Sequence, residues 1–125
     1  MPAYEEPRAD APPLRRFRDP DYRPRAATLG SLRERIDALD GQIVALLAER
    51  ALCVRDATRF KSDRFQVAAP ARQAAVFAHV RELAAGHAGE FSALPDVVEA
   101  AYRTLVAGFI AAEERFFAET EPIPT

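Results

Sequence analysis

The stretch Ser31-Leu32-Arg33-Glu34-Arg35-Ile36-Asp37-Ala38-Leu39-Asp40-Gly41-Gln42-Ile43-Val44-Ala45-Leu46-Leu47-Ala48-Glu49-Arg50, continued to Phe60-Lys61, decides how this chain folds. Its apolar positions are Leu32, Ile36, Leu39, Ile43, Leu46, Leu47 and Val54, spaced by threes and fours as one face of an α-helix requires. Ser31 and Glu34 match a capping box, in which the hydroxyl takes an orphan amide and the acid three residues on reaches back. No proline interrupts before Pro70, so the spacing predicts a helix from about 31 to 61. At 1.5 Å per residue it is roughly 45 Å long.

Two shorter helices are expected downstream. The second starts near Pro70, where proline is tolerated in a first turn. Val76, Phe77, Val80, Leu83 and Ala84 form its apolar face, and Gly86-His87-Ala88-Gly89 ends it. The third starts between Ser92 and Pro95 and runs through Val98, Tyr102, Leu105, Val106, Phe109, Ile110 and Phe116 to about Ala118. No period-two stretch of strand length and no internal repeat occurs. The fold class is therefore all-α, with three helices and an unusually long first one. Two short helices cannot cover an apolar stripe about 45 Å long, whereas a second copy laid antiparallel along it can. Twofold dimers are the commonest oligomers, so the expectation is an intertwined antiparallel homodimer.

Residues 1–28 read differently. They hold six of the ten prolines, and six Arg stand against five acids. Proline at this density blocks helix and sheet alike, so an extended arm is expected, flexible or laid over the body. Arg15, Arg16, Arg18, Arg23 and Arg25 with Phe17 and Tyr22 resemble a basic-aromatic strip, which Asp19 and Asp21 dilute; a plain tail is the alternative. The domain reading is an arm at 1–28, a helical body at 29–120 and a tail at 121–125. A net charge of −2 gives no reason to expect nucleic acid binding. No apolar run approaches the ~18 residues of a membrane span, and no secretory signal opens the chain. Cys53, the only cysteine, cannot build an intrachain disulfide framework; it reads as a packing residue in a cytoplasmic protein.

The long helix also carries three cations of interest. Arg50 and Lys61 are 11 residues apart, which returns to within roughly 20° of one face and about 16 Å along the axis. Such a pair can hold the two ends of a small dianion. Arg33 lies 17 residues before Arg50, roughly 25 Å away and about 100° around the helix. It cannot reach that anion from its own chain; if it joins the site, it does so from an antiparallel copy. Taken singly, each of these side chains also fits an exposed cation whose stem snorkels over apolar surface.

With its arginines and apolar spacing, the segment Leu32 to Asp40, then Ile43 to Arg50, resembles the first helix of the all-α (AroQ-type) chorismate mutases. Ala57-Thr58-Arg59-Phe60-Lys61 and Ala69-Pro70-Ala71-Arg72 look most like the branch that contains the isochorismate pyruvate lyases of salicylate biosynthesis. Tyr102 to Val106 and Phe109 to Glu113 resemble that branch's last helix. The resemblance covers about 31–118. It implies that Arg50 binds one substrate carboxylate and that Arg33, from the other protomer, binds the second. It implies that Lys61 binds a carboxylate and the ether oxygen of the enolpyruvyl group. Arg72 matches a position near the substrate ring, Gln73 falls where many mutases have a Glu that reads the ring hydroxyl, and Glu113 falls where the family places Gln or Glu toward the ether oxygen. Ser62 to Ala69 would be the loop that closes over the site.

These residue types suit a pericyclic reaction of a dicarboxylate, which needs no nucleophile, metal or redox cofactor. Positioning of the reacting arm and fixed positive charge at the breaking C–O bond supply the acceleration. Arg suits a carboxylate through its bidentate fork, and Lys suits the ether oxygen as a compact charge. Glu113 helps there only if protonated by burial; otherwise it, or Glu114, is an exposed helix acid. The expected activity is that of a cofactor-free chorismate mutase, an isomerase turning chorismate into prephenate on the shikimate route to aromatic amino acids. The alternative is an isochorismate pyruvate lyase giving salicylate and pyruvate, because Ala69 and Gln73 stand where mutases carry acids. The two activities can share one site. A reading of another class is a non-catalytic helical dimer that binds or regulates a partner.

Overall fold

The computed structural model describes residues 5–124; Pro2 of the arm and Thr125 of the tail lie outside them. The described residues are helical or irregular, with no strand among them. The elements are α1 (Leu29–Ala57), a 3₁₀ turn (Thr58–Phe60), α2 (Arg64–Ala68), α3 (Pro70–His87) and α4 (Leu94–Glu119). They form two compact units, one ending at Ala48 and one beginning at Glu49. No helix is long and apolar enough to cross a membrane.

In the first unit α1 begins three residues earlier than the capping box suggests. The Thr28 hydroxyl accepts the Ser31 amide at 3.1 Å, and the Thr28 carbonyl accepts the Leu32 amide at 3.1 Å. Thr28 is thus the capping residue, and Ser31 sits inside the helix as the donor. The irregular segment before it carries its own local order: an Arg8–Asp10 ion pair at 3.0 Å and the Phe17 and Tyr22 rings 4.6 Å apart. Helix α1 contains no buried residue.

In the second unit the α-helix ends at Ala57 rather than near 61. The Thr58 hydroxyl donates back to the Val54 carbonyl at 3.3 Å, a local bond that competes with helix continuation. The chain tightens into a 3₁₀ turn, and Lys61 follows in an extended conformation with its amide on the Thr58 carbonyl. The Lys61 direction is therefore set by a helix end and not by the 100° step assumed from the sequence.

The expected loop at 62–69 holds a short helix, α2. Asp63 caps it, accepting the Gln66 amide at 2.9 Å, and the Gln66 side-chain oxygen accepts the Ser62 amide at 2.7 Å. Together they satisfy two amides at the start of α2, a variant of the capping box in which the Gln66 side chain reaches Ser62, one residue before the cap. Ala69 then reverses the chain with φ at +44°, and Pro70 opens α3 at its first position. Helices α3 and α4 pack against each other through Val76, Val80 and Val106, with Phe77, Val98, Tyr102 and Ile110 around them. Val67 of α2, 2% exposed, is fully buried in this unit. Arg81 of α3 ties to Asp96 of α4 at 2.7 Å and to Glu99 at 3.5 Å.

The Asp63 cap yields a stability prediction. Asp63→Ala removes the acceptor for the Gln66 amide and should cost about 1 kcal/mol. A denaturant midpoint equal to that of the wild type would show that α2 does not need its cap.

Candidate active site

Where α3 begins and α4 ends, the second unit forms an open-sided cavity of about 310 Å³. Arg50, Lys61, Arg72, Gln73 and Glu113 line it, and Val67, Val106, Phe109 and Ile110 supply apolar wall. Five of the six site residues expected from the sequence therefore meet around one space. The sixth, Arg33, lies in the first unit with its side chain exposed and does not line this cavity.

Each side chain arrives for a local reason. Arg50 lies on the last turns of α1, with its guanidinium carbon 5.0 Å from the centre of the Phe109 ring and 5.9 Å from that of Tyr102. The ring faces attract the cation and hold it without neutralising it. Lys61 caps the 3₁₀ turn, and its ammonium donates to the Gln66 carbonyl of α2 at 3.1 Å. Arg72 and Gln73 occupy the first turn of α3. The Gln73 amide donates to the Ala68 carbonyl at 2.6 Å, which fixes the side chain against the end of α2. Among the described residues neither Arg50 nor Arg72 forms an ion pair. Both guanidiniums retain their capacity for a planar, two-pronged acceptor such as a carboxylate.

Glu113 is the acid of the cavity. It is 6% exposed, whereas Glu114 beside it faces solvent. Its Oε2 lies 3.9 Å from the Lys61 ammonium, too far for a hydrogen bond, and has no hydrogen-bond partner among the described residues. Burial pushes its pKa above the ordinary 4.5, and the Lys61 charge opposes that rise without cancelling it. A carboxyl group in this state holds its proton to higher pH than an exposed one and can donate a hydrogen bond into the cavity.

Four contributors lie outside the set expected from the sequence. Tyr102 and Phe109, core positions by their spacing, also hold Arg50; their separation of seven, with Glu113 four further on, puts all three on one helical face. Gln66 anchors Lys61 through its carbonyl, and no side-chain pattern announces a backbone contact. Cys53, read as a packing residue, is exposed and lines the cavity.

The raised pKa of Glu113 links stability to pH. Below about 4.5 both folded and unfolded chains hold the proton, and the residue contributes no pH dependence. As pH climbs above that value the unfolded chain loses its proton first, so this residue's contribution to stability falls until the folded-state pKa is passed. Urea midpoints followed across this window should decline less steeply in Glu113→Gln than in the wild type. Equal slopes would mean that Glu113 titrates as an exposed acid.

Comparison with known proteins adds one finding: the family description of chorismate mutase type II matches residues 32–114. No curated protein and no solved structure gives a match. The matched region spans about two thirds of the chain and contains α2 and α3 entire, with most of α1 and α4, so the chain belongs to the chorismate mutase type II family.

Proposed function

We propose that the protein is a chorismate mutase, rearranging chorismate to prephenate without a cofactor in a site shared between two copies of the chain. The observation that carries this reading is the cavity in which Arg50, Lys61 and Arg72 surround apolar walls beside one buried acid whose pKa is raised. Three like charges brought together repel one another, and a dianion is the ligand that relieves them. The guanidinium of Arg50 holds one carboxylate. Lys61 and the protonated Glu113 converge on the ether oxygen, where electron density builds as the C–O bond breaks. Fixed donors there stabilise the transition state more than the ground state. The apolar walls exclude water and hold the enolpyruvyl arm over the ring.

Arg33 of the partner subunit supplies the second carboxylate contact in this proposal. Support comes from the surface of α1: Ile36, Leu39, Ile43, Val44 and Leu46 each expose more than half of their area. Burying a side chain of this size is worth about 1.5–3 kcal/mol, so an apolar row of this length favours a second copy over water. Residues 29–120 form the catalytic body in this reading.

One observation favours the lyase reading. Among the described residues Glu113 is the single carboxylate lining the cavity, and Ala69 and Gln73 leave no acid where mutases read the ring hydroxyl. Isochorismate pyruvate lyase activity is therefore the second reading, alone or beside the mutase activity.

Purified protein given each substrate separates the readings: prephenate formed from chorismate supports the first, salicylate fluorescence from isochorismate the second. Tight binding of a transition-state analogue without turnover of either would point to a non-catalytic dimer. Lys61→Ala should keep the helical circular dichroism and lower kcat/KM by roughly 10²–10³-fold. The wild-type rate should fall as pH rises past the Glu113 pKa, and Glu113→Gln should be flat over the same range; a flat wild-type profile would remove Glu113 from the mechanism.

The shared site has its own test. Arg33→Ala and Arg50→Ala chains should each be nearly inactive. Unfolded together and refolded, they should recover up to about a quarter of wild-type activity, because half the dimers are mixed and each mixed dimer holds one intact site. No recovery in a mixture shown to contain mixed dimers would place Arg33 outside the site.

A further inference from the structure

The arm is fastened to the start of α1 at two points. The Gly30 amide, in the first helical turn, donates to the Ala9 carbonyl at 3.1 Å. The approach is close: a Cβ on Gly30 would stand 3.2 Å from the Ala9 Cβ and 3.4 Å from its carbonyl oxygen. Five residues on, the Arg35 guanidinium donates to the Arg25 carbonyl. The first bond satisfies one of the amides that a helix start leaves without a partner. A side chain at Gly30 would crowd Ala9, so the close approach of the arm uses the missing Cβ.

Arg33 lies between these fastenings. Side chains on a helix lean toward its N-terminus and cover the preceding turn. Arg33 follows Gly30 by three residues, so the turn before it is the one the arm holds. The strip 9–25 closes a loop whose two ends flank the single residue of this unit assigned to the anion site.

We propose that the arm is a strap that positions Arg33 for the cavity of the partner subunit, with Gly30 and Arg35 as its positioning residues. This rests on the shared-site reading above. The strap restricts the first two turns of α1, where a helix otherwise frays, and so reduces the freedom the guanidinium loses on meeting a carboxylate.

The test uses the full chain. Gly30→Leu keeps a good helix former but forces Ala9 away. Chorismate KM should rise about five- to tenfold with kcat within about twofold, as loss of uniform binding requires, while dimer mass and helical circular dichroism stay as in the wild type. In an Arg33→Ala background the same substitution should change KM no further. Gly30→Ala should give a smaller rise, reversed when Ala9→Gly restores the space. Should Gly30→Leu fail to fold, Arg35→Gln, an exposed substitution, carries the same expectation. A wild-type KM in these variants, or an equal rise without Arg33, overturns the strap. If the wild type turns over neither substrate, the proposed function fails first; calorimetric titration with chorismate then reads the same coupling as a change in Kd, and an unchanged Kd overturns the strap independently.

Discussion

The packing of α3 on α4 through Val76, Val80 and Val106 is the constraint on which the site depends. Arg72 precedes Val76 by four residues and Glu113 follows Val106 by seven, so the faces that make the core also carry the chemistry. The helices run antiparallel, and the valine contact closes the space between them over their middle. Toward the start of α3 and the end of α4 the same two faces remain open, and there the cavity lies. Core and site are one surface, closed by apolar side chains in one part and left hollow by polar ones in the other.

The electrostatics follow from that arrangement. A cavity with three cations and one acid is unfavourable when empty, and the fold limits the cost in three ways. Aromatic faces hold Arg50, a carbonyl holds Lys61, and burial raises the pKa of the acid, which favours its neutral form. None of these removes a positive charge. The cations remain available to a ligand that brings its own negative charge, which is the difference between this cluster and a structural salt-bridge network such as Arg81 with Asp96 and Glu99.

Much of this was legible in the sequence. Pro70 marked the start of α3, and the three-and-four spacing from Val98 to Phe116 marked α4. The family resemblance points to Glu113, and the apolar spacing puts Phe109 on the same face without showing that its ring holds Arg50. The misses are local. Ser31 fits a capping box as well as Thr28 does in sequence terms, and only the hydrogen bond to the Ser31 amide decides between them. The end of α1 depends on whether the Thr58 hydroxyl turns back to the Val54 carbonyl, a choice composition does not reveal. By contrast, Asp63 with Gln66 three residues on is a cap visible in the sequence, and the loop expected at 62–69 overlooks it. Apolar periodicity reports which face is buried; it does not report which carbonyl a lysine finds.

Ala69 carries a consequence for the order of the cavity wall. An alanine at φ +44° occupies a region that side chains with a Cβ visit at a cost of roughly 1–2 kcal/mol, and the proline after it narrows its choices further. The joint between α2 and α3 therefore has few resting angles, and the one it holds is raised in energy. That stiffness limits the orientations open to α2, whose Gln66 carbonyl accepts from the Lys61 ammonium. Glycine in its place would widen the choice, so the aim of one ammonium leans on a single methyl group.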